Sequence, residues 1–225
     1  MSGWVFCFRS PSACRRGLER KRPATKIEKA QSKHRLPPSF AFYYNAKVTN
    51  SVRRIVVYGP PGSGKTTLAE RISRRVGVAH IELDAINWKP GWIESSLEEF
   101  RANVVAALEK CPDGWACDGN YSRVRDLILP HADTVVWLRP PFLVAFWRLV
   151  KRTVSRTRDG TVLWGTNRES WRQNFLSRES LILYQVTHWK KYHQIGQKVS
   201  EIPHQAQVIQ LRTQKEVEAF LERLG

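Results

Sequence analysis

Between residues 59 and 67 the chain reads Gly59-Pro60-Pro61-Gly62-Ser63-Gly64-Lys65-Thr66-Thr67, and these residue types at this spacing suit one chemistry, the holding of phosphate. In G-x-x-x-x-G-K-[ST] the glycines let successive backbone N–H groups turn inward to a common point. The positive end of a following helix and the Lys65 ammonium add to the field there, and the Thr66 hydroxyl offers an oxygen ligand for Mg²⁺. Gly59, Gly62, Ser63, Gly64, Lys65, Thr66 and Thr67 are therefore the candidates for binding ATP or a close relative, with Lys65 also a catalytic candidate at the β and γ phosphates. Other motifs narrow the class by their absence. The N-K-x-D of translation-type GTPases is missing, and Asp118 is followed by Gly119 where ATPase motors and transporters usually carry Glu. A kinase-like chain fits best.

A phosphate loop needs a strand before it and a helix after it. Ile55, Val56, Val57 and Tyr58 form a short β-branched run that stops at Gly59, as a strand buried on both faces should. Leu68, Ala69, Ile72 and Val76 then recur at helical spacing up to Gly77, a C-terminal stop. Further strands are expected at Ala79 to Leu83, Trp115 to Cys117, Thr134 to Leu138 and Val208 to Leu211. Ser96-x-x-Glu99 opens a helix to about Lys110, and Thr213-x-x-Glu216 opens a last one near the end of the chain. After Pro140-Pro141 a helix carries Phe142, Ala145, Phe146, Leu149, Val150 and Thr153 on one face and basic residues on the other. The alternation predicts an α/β fold of the three-layer P-loop NTPase type, with a five-stranded parallel sheet and a helical lid region.

Several segments outside the loop extend the picture: Leu83-Asp84-Ala85, Trp88-Lys89-Pro90-Gly91-Trp92, Asp118-Gly119-Asn120-Tyr121-Ser122-Arg123 and Trp164-Gly165-x-Asn167-Arg168-Glu169. With Gly59 to Thr67 they resemble, in order and over about residues 53 to 195, an adenylate-kinase-like P-loop kinase of the bacterial group labelled DNA topology modulation protein. The resemblance implies roles. Asp118 would hold Mg²⁺ through water, with Thr66 as the direct ligand, or else cap the following turn. Arg123 would grip the acceptor, although one extra residue before it leaves Arg125 as an alternative. Asp84, read as the end of the second strand, is similar to the acceptor-side Asp of shikimate-type kinases. It is either the base for an acceptor hydroxyl or a turn cap. Trp88 and Trp92 either stack on an acceptor ring or pack a neighbouring helix. Arg152, Arg156, Arg158 and Arg168 surround Asp159 to Asn167, where adenylate kinases carry a lid of about residues 156–170, and Arg168 is the lid residue assigned to catalysis.

The composition is compatible with this and decides little more. Thirty-seven Lys and Arg against twenty Asp and Glu give +17. Eleven of those basic residues and two of the acidic ones lie in residues 1–50, and the surplus on the remainder suits a domain that handles nucleotides. Residues 1–50 show no useful periodicity and read as a disordered basic extension, or as a start-site artefact, Met1 being the only methionine; residues 51–225 form the kinase-like domain. Cys7, Cys14, Cys111 and Cys117 show no metal-site spacing and suggest reduced thiols in cytoplasm. The longest apolar stretch, Phe142 to Trp147, is too short for a bilayer, so no membrane partner is expected. The expected function is transfer of the γ phosphate of ATP, with Mg²⁺, to a small anionic or nucleotide-like acceptor. An ATP-dependent nucleic-acid-binding or regulatory protein acting on DNA topology is the alternative, without a nucleic-acid motif to support it.

Overall fold

The computed structural model describes residues 52–168, 181–192, 194–202 and 204–224. The expected extension over residues 1–50 and the last two residues of the expected lid lie outside them. In chain order the strands are β1 (Arg54–Tyr58), β2 (Ala79–Glu82), β3 (Trp88–Lys89), β4 (Ile93–Glu94), β5 (Trp115–Asp118), β6 (Thr134–Leu138), β7 (Val162–Leu163), β8 (Asn167–Arg168) and β9 (Gln207–Leu211). The helices are α1 (Lys65–Val76), α2 (Leu83–Asn87), α3 (Leu97–Glu109), α4 (Arg125–Ile128), α5 (Phe142–Arg158), α6 (Leu181–Tyr192), α7 (Ile195–Ser200) and α8 (Gln214–Glu222).

Five strands form one sheet in the order β2-β5-β1-β6-β9, and every pair in it is parallel. Both faces are covered, which is why β1 after Arg54 and β6 after Thr134 are apolar runs instead of alternating. On one face Val56, Tyr58, Cys117 and Trp137 pack with Phe100 and Val104 of α3 and with Ile195 and Val199 of α7. On the other, Ile55, Val57, Ala116 and Val136 pack with Leu68, Ala69 and Ile72 of α1 and with Phe220 and Leu221 of α8. The two expected capping boxes are present. Ser96 Oγ accepts from Glu99 N at 3.2 Å, and Thr213 Oγ1 accepts from Glu216 N at 3.2 Å. Gly77 ends α1 in the left-handed region, at φ 69°.

Two differences from the sequence expectation bear on the site. The second strand stops at Glu82, and Leu83 turns into α2, its side chain filling the space left by the missing Cβ of Gly119. Asp84 therefore sits in the first turn of a short helix and does not end a strand. The chain also makes two small antiparallel hairpins, β3 with β4 and β7 with β8, too short to leave a periodic signal. Of the expected lid, α5 continues to Arg158, and the second hairpin follows.

Helix α5 runs directly beneath the glycine loop. A Cβ on Gly62 would lie 2.1 Å from Ala145 O, and Gly62 has φ +71°. Gly64 also has a left-handed φ, +91°, yet its Cβ would meet nothing within 4 Å. We expect Gly62→Ala to cost about 2–5 kcal/mol, from left-handed strain and overpacking together. Gly64→Ala should cost only the strain, about 1–2 kcal/mol. Thermal unfolding of the two variants side by side checks this, and equal losses would mean that α5 does not set the loop.

Candidate functional site

The loop is built as an anion receptor. Helix α1 begins at Lys65 with Gly64 as an N-cap that makes no side-chain cap, and its first turn holds no acidic residue. Its ladder starts only at Leu68 N, which donates to Gly64 O at 2.9 Å, so the N–H groups of Lys65, Thr66 and Thr67 have no intrahelical acceptor. Ser63 Oγ is buried without a protein partner beside them. Lys65 Nζ donates to Pro60 O at 3.2 Å, folded back over its own loop. The start of the loop is clamped by Asn120, whose Nδ2 donates to Gly59 O at 2.6 Å while its Oδ1 accepts from Gly59 N at 3.3 Å. Gly59 is needed there, because a Cβ would lie 2.7 Å from Ser63 Oγ and 2.8 Å from Leu138 O.

Asp118, 1% exposed at the end of β5, accepts from the Thr66 hydroxyl at 2.7 Å through Oδ2 and bonds His80 Nε2 at 2.9 Å through Oδ1. This brings the two expected metal residues together and adds His80, which sequence spacing did not reveal. The Asp118 hydrogen bond is the main cause that raises the His80 pKa. Burial lowers the Lys65 pKa, the charges of Asp84 and Asp118 oppose that, and the charge of Arg152 lowers it further. Lys65 is thus held among two carboxylates and an arginine. Burial also raises the pKa of Glu82, opposed by a hydrogen bond from the Trp164 side chain, while the charges of Asp118 and Asp84 add to the rise.

A second network starts at Asp84. Tyr121 donates its hydroxyl proton to Asp84 Oδ1 at 2.6 Å, and Asn87 Nδ2 donates to Tyr121 Oη at 3.5 Å. Burial, followed by the Asp84 charge, lifts the Tyr121 pKa far above the ordinary phenol value, so Tyr121 stays a donor. Arg123 Nη2 donates to Asn87 Oδ1 and to Glu94 Oε2, both at 3.1 Å, and its guanidinium lies 5.5 Å from the centre of the Phe100 ring. Arg125 points elsewhere: it is 5% exposed and lies over the Tyr58 ring at 5.4 Å. Of the two arginines left open by the sequence, Arg123 belongs to the Asp84 network.

The two hairpins are joined. Asn167, 2% exposed, accepts from Trp92 N at 2.9 Å and donates to Lys89 O at 3.0 Å, and Trp92 Nε1 donates to Arg168 O at 3.1 Å. Trp88, Trp92 and Trp164 form an edge-to-face chain with centroid spacings of 5.7 Å, and Trp164 reaches Glu82. Trp92 and Trp164 hold φ of 59° and 43°, values bulky residues adopt only under constraint. Trp92 thus packs across the hairpins against Trp164 and, within its own hairpin, against Trp88. Arg168 enters through its carbonyl, and its exposed guanidinium lies beside Gly160. Arg152 is the lid-region arginine whose charge acts on Lys65.

Removing Asn167 leaves the N–H of Trp92 and the C=O of Lys89, both on half-buried residues, without their partner, at up to about 1–3 kcal/mol each. Asn167→Ala should therefore free the second hairpin while leaving ATP affinity within about threefold, since the loop is built without it. Tryptophan emission and the rate of proteolysis within residues 159–168 check this, and no change in either would mean that the joint is idle.

On the β6 and β9 flank, opposite β5 and β2, the loop borders a cavity of about 510 Å³ lined by Ser63, Gly64, Thr67, Pro140, Arg148 and Arg212 among others. The phosphate loop thus lies between a cavity on one flank and the carboxylates on the other. The fold is that of a P-loop NTPase. The family described as "ATPase family associated with various cellular activities (AAA)" matches residues 55–112, from β1 through α3. A Caenorhabditis elegans protein named mitochondrial sorting homolog is 35% identical over 75 residues, 33% of this chain, and the match spans only 22% of that protein. Among solved structures, shikimate kinase from Acinetobacter baumannii in complex with shikimate is similar at a TM-score of 0.43 and 15% identity, covering 78% of this chain and 92% of that one. A gluconokinase from Sinorhizobium meliloti is similar at 0.43 and 19%, covering 77% and 94%.

Proposed function

We propose that this chain is an ATP-dependent phosphotransferase that moves the γ phosphate to a hydroxyl of a small acceptor. One observation carries the reading: Lys65 is flanked by two carboxylates of different surroundings. Asp118 is bonded to Thr66, whereas Asp84 is bonded into a separate network of Tyr121, Asn87 and Arg123. The uncapped first turn of α1 and the unpartnered Ser63 hydroxyl fit the phosphates of ATP, and the cavity beside them fits a nucleoside. The hard oxygens of Thr66 and Asp118 fit Mg²⁺, which when bound neutralises charge on the β and γ oxygens. Among the described residues no cluster of three or more His, Cys, Asp or Glu could hold a metal alone, so phosphate and water oxygens would complete its shell.

The residues divide the work. Lys65 and the α1 N–H groups hold the transferring phosphoryl group, with Arg152 adding charge from α5. Asp84, fixed by Tyr121 at Oδ1, takes the acceptor's hydroxyl hydrogen bond at Oδ2 and receives its proton. Asn120 is a positioning residue, because it holds Gly59 and through it the loop. The segment Asp118 to Arg123 supplies four of these residues, which supports placing the chain with the adenylate-kinase-like group labelled DNA topology modulation protein. Among the described residues no helix is long and apolar enough to cross a membrane. A cytoplasmic location belongs to the same proposal. In a thermal-shift titration, ATP with Mg²⁺ at a hundredfold its Kd should stabilise the protein by about 2.7 kcal/mol. ADP release should then require an added acceptor. No shift with ATP, or ADP release indifferent to every acceptor, would contradict the reading.

A further inference from the structure

We infer that the acceptor is a neutral polyhydroxylated molecule, a sugar, polyol or nucleoside, and not the phosphate- or carboxylate-bearing one expected from the sequence. The inference rests on the phosphotransferase reading above and concerns the same site. An anionic acceptor needs a cation free to receive it. Arg123 is the arginine of the Asp84 network, and its charge is neutralised in place: Nη2 bonds both Glu94 and Asn87, while Phe100 and Tyr121 flank the guanidinium. Among the described residues, further carboxylates gather on the same flank. Glu82 and Asp118 are register partners at the ends of β2 and β5, and α2, which carries Asp84, follows Glu82 directly. Lys65 and Arg152 act at the loop, where the phosphates of ATP take up their charge.

Among the described residues, an anion brought to Asp84 would thus face the carboxylates of Asp84, Glu82 and Glu94 against one guanidinium already paired. A molecule rich in hydroxyl donors and without charge has the opposite relation to the same groups, because ionised carboxylates are acceptors only. The half-buried Trp88 and Trp92, on the hairpin that carries Glu94, add the apolar surface on which the C–H face of a sugar or the ring of a nucleoside rests. In the transfer, the acceptor oxygen forms a bond to the γ phosphorus and the bond from that phosphorus to the β,γ-bridging oxygen breaks. The hydroxyl proton passes to Asp84 and from there to water, and ADP departs.

The test uses the full chain at saturating ATP and Mg²⁺ with matched acceptors: glucose, sorbitol and uridine, against gluconate, glycerol 3-phosphate and AMP, with ethanolamine as a cationic control. Labelled product and ADP release are both measured. The expected result is a kcat/KM for at least one neutral acceptor about a hundredfold above that of its anionic counterpart, and the neutral arm that succeeds identifies the source. Glu94→Gln, which frees the charge of Arg123, should narrow that preference at least tenfold while leaving ATP affinity unchanged. An anionic or cationic acceptor used as well as the neutral ones, or a preference untouched by Glu94→Gln, overturns the inference and leaves the phosphotransferase reading standing. If bound ATP yields no phosphorylated product in any arm, that reading fails and the inference falls with it.

Discussion

Replacing Lys65 by Ala should reduce phosphoryl transfer by about a thousandfold or more, while the protein stays folded. The size follows from what the ammonium faces. It lies at the first residue of α1, bonded to Pro60 O, among Asp84, Asp118 and Arg152, with its pKa pulled down by burial. A charge held against desolvation is worth most where negative charge gathers, and in phosphoryl transfer that is on the oxygens of the moving group. ATP affinity should fall less, because the α1 N–H groups remain. Unfolding should be unaffected or slightly later, since the substitution removes a desolvated cation. A pH signature goes with this. Because the folded pKa of Lys65 is lowered, the unfolded chain binds the extra proton between that pKa and the ordinary 10.5, so stability rises with pH across that window. Lys65→Met should erase the rise, as a denaturant series in alkaline buffers would show.

Asp84→Asn is expected to lower the chemical step about a hundredfold to ten-thousandfold, with ATP affinity equal or slightly improved. The amide oxygen can still accept from Tyr121, so the local geometry should survive and the loss would report the missing base and charge. Single-turnover transfer and ATP binding, measured on the same preparation, separate the two effects. Equal losses in both would instead make Asp84 a structural cap of α2.

These residues were not equally legible in the sequence. The loop from Gly59 to Thr67 could be read directly, because its chemistry is carried by consecutive residues, and the five core strands emerged within one or two residues, β1, β5 and β6 most clearly because burial on both faces gives them nearly unbroken apolar runs. Asp118 was visible as the polar end of such a strand. The limits arise where a role depends on a distant partner. Leu83 read as strand because it is apolar, but it finds its place by turning against Gly119, and that turn moves Asp84 into a helix. His80 meets Asp118 only through the pairing of β2 with β5, and Asn120 reaches Gly59 only because β5 lies beside β1. Asn167 and Trp92 are joined across 75 residues, between hairpins of two-residue strands that no periodicity could announce. Arg148 and Arg212 line the cavity from α5 and from the β9–α8 connection, with no shared motif.

The central claim is that the carboxylates on the β2 and β5 flank serve transfer to an acceptor and not hydrolysis alone, and the fate of the γ phosphate tests it most directly. A single turnover with γ-labelled ATP, Mg²⁺ and the acceptor mixture should move the label into a new phosphate ester in one-to-one ratio with ADP, and both Lys65→Ala and Asp84→Asn should suppress that ester. Label appearing only as inorganic phosphate, at a rate indifferent to the acceptors and to Asp84→Asn, would contradict the account.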